Sequence, residues 1–200
     1  MVEREACERR VYRLATLLTG SPSKALRILD HIVRNQPRLD TLDTTHLDRL
    51  TILSCRNARP TALGDEDIPR SAAEALAGLR PQQRETWVLT HVYRLSPRET
   101  ARSMDCSVTA TRRHLEQAEQ RMREALGPRG DSHAAGAMLR YSMRLNVPQV
   151  FYIHQRRRKR IRWTVMIIVL SIVVSAMVVE RVPISVESSA GDSCRGDDRF

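Results

Sequence analysis

Aromatic side chains are scarce in this chain. Two Trp, four Tyr and two Phe make up 4% of its 200 residues, so its cores must be small and aliphatic. The four cysteines, Cys7, Cys55, Cys106 and Cys194, stand far apart in sequence. No CxxC pair exists for a metal or a redox couple, and free thiols in a reducing compartment are expected. The six histidines are scattered, with no HExxH spacing, and no glycine-rich phosphate loop is present. The reading is therefore no catalytic residue, no metal ligand set, no cofactor and no enzyme. The first residues are charged and lack an apolar core, which excludes a signal peptide.

Positive charge is what the chain has in excess. Against 23 Asp+Glu stand 33 Lys+Arg, giving a formal net charge of +10 and a sequence pI near 10.4. The excess is uneven. Residues 180–200 hold five acids and three arginines, and 163–179 hold no charge, so residues 1–162 carry +12. Such a balance favours a polyanionic partner, either nucleic acid or an acidic membrane surface.

The apolar periodicity is helical throughout. Residues 3–19 place Val11, Leu14, Ala15 and Leu18 on one side, and Gly20 stops them. Ser21-Pro22 opens a second helix that runs to Asn35. A third is expected from Thr45 to Arg56. Pro60, Gly64 and Pro69 mark a connection. A helix capped by Ser71 and another from Gln82 to Tyr93 follow, the latter with Trp87, Val88, Leu89 and Val92 as core and His91 as a structural histidine beside them. Ser96 is an N-cap, Pro97 the first helical residue and Glu99 a capping-box carboxylate. After a short turn at Asp105-Cys106-Ser107, Val108, Thr111, Leu115, Ala118 and Met122 form one inward stripe. Thr109, Ala110, Arg112, Arg113, Glu116 and Gln117 lie opposite. Thr100 and Thr111 fall at positions facing inward, where a hydroxyl costs stability unless it bonds back to its own helix. A short helix, a tight turn and a second helix with a basic outer face is helix-turn-helix logic. Gly127 to His133 reads as a second linker, and Ala134 to Asn146 as a short helix.

Ala75 through Leu126 resembles region 4 of the sigma-70 family, especially its extracytoplasmic-function type. The matching residues are Ala75 to Arg84, Leu95-Ser96 with Glu99 and Ala101, Met104 to Val108, and the run from Arg112 to Ala118. The resemblance implies that the second helix enters the major groove of a promoter −35 element through Thr109 to Gln117. Arg112 and Arg113 suit phosphates or guanine, and Gln117 suits adenine. Arg98 and Arg102, on the preceding helix, suit backbone phosphates. The strip from Tyr12 to Pro22 is similar, more weakly, to sigma region 2, and Ala25 to Val33 falls where that family binds the polymerase clamp. There the family shows an acidic pair and a Gln, where this chain has Leu26, Arg27 and Asp30. Around Leu47 to Leu50 no aromatic side chain is present to stack an unpaired base, and Arg49 stands where a Trp is common.

From Trp163 to Val179 no residue is charged and ten are Ile, Val or Leu. As a helix the run would reach about 25 Å, and its aliphatics would favour insertion by about 3–6 kcal/mol. Arg156, Arg157, Arg158, Lys159, Arg160 and Arg162 precede it, which by the positive-inside rule places the N-terminal part in the cytoplasm and the basic cluster against anionic lipid. The expected architecture is all-α. A region 2-like domain (1–57), a linker (58–70), a region 4-like helix-turn-helix domain (71–126) and a juxtamembrane linker (127–162) precede a single transmembrane helix (163–179) and a disordered extracytoplasmic tail (180–200). Three readings follow. The first is a membrane-anchored sigma-like factor that binds promoter DNA and core RNA polymerase. The second is a membrane-tethered helix-turn-helix regulator without sigma activity. The third is a module that binds polymerase or an anti-sigma factor but no DNA.

Overall fold

The computed structural model describes residues 2–153, 164 and 166–172. Among these residues the regular structure is helical, and no strand occurs. The chain divides into two units, Met1–Phe151 and Tyr152–Phe200. The first contains α1 (Val2–Thr19), α2 (Pro22–Asn35), α3 (Thr44–Cys55), α4 (Arg70–Gly78), α5 (Pro81–Trp87), α6 (Pro97–Met104), α7 (Val108–Leu126) and α8 (Gly130–Arg144).

Helices α1 to α3 form an aliphatic cluster. Val11, Leu14 and Leu17 of α1, Leu29 and Ile32 of α2, and Leu47 and Ile52 of α3 are buried. Local chemistry sets their ends. Gly20 closes α1 at φ 67°, and a Cβ there would lie 1.6 Å from the Thr61 carbonyl oxygen, so only glycine fits. The Ser21 hydroxyl accepts the Lys24 N–H, with Pro22 at the first turn of α2. Asp43 caps α3 by accepting the His46 N–H at 3.1 Å. For α4 the expected cap is displaced. Pro69, at φ −53° and ψ 130°, precedes the first turn, and Ser71 lies inside the helix.

The expected linker after α3 is irregular but pinned. Leu63 and Ile68 are buried. The Thr61 N–H donates to Thr19 O at 3.0 Å, and Lys24 Nζ donates to Arg59 O at 2.7 Å. The expected linker 127–133 is shorter than its composition suggests, because α8 already begins at Gly130. Trp87 explains why: it is fully buried and its indole N–H donates to Asp131 at 2.7 Å, drawing the start of α8 onto the π-helical turn Val88–Val92. Helices α1–α8 share one unit, Met1–Phe151.

Charged groups join the N-terminal helices to the rest. Arg10 of α1 grips the buried Asp48 of α3 through two hydrogen bonds of 2.8 Å, and its guanidinium lies 5.0 Å above the Tyr93 ring. Burial works against the Arg10 charge, but the hydrogen bond and charge of Asp48 outweigh it and raise its pKa. At Asp48 burial wins, and the carboxyl lies above its usual range despite Arg10. Arg56, at the end of α3, holds the buried Glu85 of α5 at 3.2 and 3.3 Å and donates to Met104 O at 3.2 Å. Burial lifts Glu85 too, against the pull of Arg56 and Arg84. Beside it, burial pushes the Cys55 thiol up to about 12. Cys7, Cys55 and Cys106 are all free.

The expected membrane-spanning helix over 163–179 is overturned. Among the described residues no helix is long and apolar enough to cross a membrane. Of that run only 164 and 166–172 are described. The flanking cluster Arg156, Arg157, Arg158, Lys159, Arg160 and Arg162, the remainder of the run and the tail 180–200 lie outside the described residues.

Removing Arg56 strands the carboxylate of Glu85. Arg56→Ala is expected to cost about 3 kcal/mol in urea unfolding at pH 7. Glu85→Gln separates charge from shape. A carboxyl with a raised folded pKa contributes stability that is complete below its unfolded value, near 4.3, and is lost as pH rises through the folded value. The Gln variant should therefore gain on the wild type between pH 4 and pH 7, as measured by paired unfolding curves.

Candidate nucleic-acid interface

The site is built on α6, the turn after it and α7. Ser96 and Glu99 close the capping box expected of them. The Ser96 N–H and hydroxyl donate to the Glu99 carboxylate at 2.8 and 2.6 Å, while the Glu99 N–H donates to the Ser96 hydroxyl at 3.3 Å. These bonds hold the Glu99 carboxyl below its usual pKa. At the other end Asp105 adopts the left-handed conformation, φ 56° and ψ 49°. The Cys106 N–H then reaches back to Ala101 O at 3.0 Å, the six-to-one bond that turns a helix end sharply. Aspartate tolerates this conformation better than most residues with a Cβ. Ser107 caps α7 by accepting the Ala110 N–H at 3.1 Å.

The inward stripe of α7 is seated as its spacing requires at Thr111, Ala118 and Met122, which are buried. Val108 and Leu115 are half-buried. The two inward threonines fare differently. The Thr111 hydroxyl donates to Ser107 O at 3.0 Å and lies 3.2 Å from Cys106 Sγ. The Thr100 hydroxyl is buried with no hydrogen-bond partner, as is that of Ser103 on the same face of α6.

Outward, Thr109, Arg112 and Arg113 are exposed on the first turns of α7, and Arg98 and Arg102 are exposed on α6. Among the described residues none of these four arginines is in an ion pair. Gln117 is half-buried, and its carbonyl oxygen accepts from Gln83 Nε2 at 3.0 Å; a bidentate approach to adenine would have to displace that bond. A hollow of about 480 Å³ runs along this face, lined by Arg80, Thr109, Arg113, His114 and Gln117. The sequence reading did not select Arg80 or His114. Arg80 carried a signal, since it immediately precedes the Pro81-Gln82-Gln83 helix start, whereas His114 reaches the hollow only through the docking of α5 on α7. His91 is structural. Its Nε2 lies 3.1 Å from Glu119 and its ring 5.2 Å from that of Trp87.

A two-helix reader joined by a three-residue turn, with free guanidinium groups on its outward face, defines a helix-turn-helix protein. Residues 70–122 match the family model described as Sigma-70, region 4. No curated protein matches the chain. The extracytoplasmic-function subtype rests on the resemblance alone.

The unpartnered Thr100 hydroxyl gives a direct test of the packing. Thr100→Val removes a buried polar group without changing shape and should raise stability by about 1 kcal/mol. Thr111→Val should give no such gain, because its hydroxyl is already bonded. Urea midpoints of the two variants make the comparison.

Proposed function

We propose that the chain binds promoter duplex DNA of the −35 type in transcription initiation, with core RNA polymerase as its protein partner. The role is one of binding, without catalysis. Helix α7 lies in the major groove, Arg112 and Arg113 reach base edges and phosphates, and Arg98 and Arg102 of α6 fix the register on the backbone. The observation that carries this reading is the outward face itself: four arginines without ion-pair partners beside a capped helix start, on a segment matching sigma-70 region 4.

A second reading has one observation in its favour. The exposed side of α3 presents His46, Leu53 and the half-exposed Arg49, with no Trp, Tyr or Phe. A base released from a duplex finds no large aromatic platform there, only the imidazole of His46 and the guanidinium of Arg49. That favours a DNA-binding regulator that does not itself open promoters.

Arg112→Ala combined with Arg113→Ala should weaken duplex binding by about 2 kcal/mol or more and make the salt dependence shallower by about one to two phosphate equivalents. Fluorescence anisotropy over a salt series, on a duplex selected from a random pool by the full chain, measures both. Unchanged affinity removes the two residues from the contact set, and failure of the full chain to select any duplex refutes the reading. Co-purification with core polymerase, with and without promoter opening, separates the first reading from the second.

A further inference from the structure

A groove of about 620 Å³ runs beside the reader, between α3 and α6. One wall carries Arg98 and Arg102 of α6. Its end is formed by Ser107 and Val108 at the start of α7. The opposite wall carries His46 and Arg49 of α3. The two acids of the groove are both engaged. Asp43 caps α3 through the His46 N–H at 3.1 Å, and Asp105 accepts from Arg49 at 2.6 Å. The Arg49–Asp105 pair is open to solvent, with side chains 41% and 57% exposed. Such a pair is weak and exchanges readily for a stronger anion. By contrast the Arg56 bonds to Glu85 and Met104 O fix the other end of α3 against α5 and α6, so both walls belong to one surface.

We propose that Arg49 is a phosphate contact of the DNA-binding surface, supplied by the N-terminal helices across the groove from Arg98 and Arg102. The inference rests on the duplex-binding reading above and extends its footprint beyond the helix-turn-helix. A backbone strand lying in the groove passes between guanidinium groups from two separate parts of the chain, and Arg49 turns from Asp105 to the phosphate. Because a phosphate contact carries no sequence information, its loss weakens all duplexes alike.

The alternative role for Arg49 is to neutralise Asp105, and the test separates the two. In the full chain, Asp105→Asn removes the carboxylate while suiting the left-handed backbone. Arg49→Ala is then added to that variant. If Arg49 touches phosphate, the double variant loses about one unit of the slope of log K against log salt relative to Asp105→Asn alone. Its affinity falls by the same factor on selected and unrelated duplexes, and Arg49→Lys in the same background keeps most of the slope. Equal slopes for Asp105→Asn and the double variant overturn the proposal. Should alanine at 49 melt α3, as helical circular dichroism would reveal, the lysine and Arg49→Gln variants give the same comparison. Binding that is lost in the Arg112/Arg113 double variant but indifferent to Arg49 overturns this proposal and leaves the duplex-binding reading standing. A full chain that binds no duplex overturns both.

Discussion

Two buried carboxylates, each met by a guanidinium from another helix, set the arrangement of the whole N-terminal unit. Asp48 answers to Arg10, and Glu85 to Arg56. Burial penalises both carboxylates, so the pairs do not stabilise the fold as an aliphatic contact would. What they supply is direction. A carboxylate with one acceptable partner permits one docking geometry, and Asp48 lies in α3 while Arg56 caps its end. That helix is therefore fixed between α1 on one side and the helix-turn-helix on the other.

The positive excess consequently divides into two populations. Arg10, Arg13, Arg56 and Arg84 are spent inside the unit, on carboxylates, carbonyl oxygens and an aromatic face. Arg98, Arg102, Arg112 and Arg113 stand outward. Net charge alone cannot distinguish these groups, and position relative to buried carboxylates does. The internal set orients the outer one, since α3 and α5 hold the helices from which the outer arginines project.

Features decided within four or five residues were legible in the sequence. The Ser96-Pro97-Glu99 start, the stop at Gly20 and the stripe through Thr111, Ala118 and Met122 depend on local hydrogen bonds and on 3.6-residue periodicity, and the first and last of these lie within the segment that matches region 4. Features decided across the fold were not legible. Nothing around Arg49 announces that it meets Asp105, 56 positions away. Leu63 and Ile68 sit in a stretch whose Pro and Gly content reads as linker, yet they are buried. Ser71 has the right chemistry for a cap, but the cap position falls two residues sooner, at Pro69. The membrane expectation failed differently. It rested on hydropathy over a run of which 164 and 166–172 are described, and among the described residues no helix is long and apolar enough to cross a membrane.

One contact also governs the order of assembly. Arg13 of α1 donates to Met143 O and Leu145 O at 2.7 and 2.9 Å, satisfying carbonyl oxygens at the end of α8 from 130 and 132 positions away. Domains emerge from the ribosome N-terminus first, and the first three helices can pair their apolar faces as soon as they appear. Arg13 must wait until synthesis has passed Leu145. Closure of the unit is thus a late, long-range event, and contacts of that separation slow folding. The reader becomes part of a closed unit only when α8 has been tied to α1.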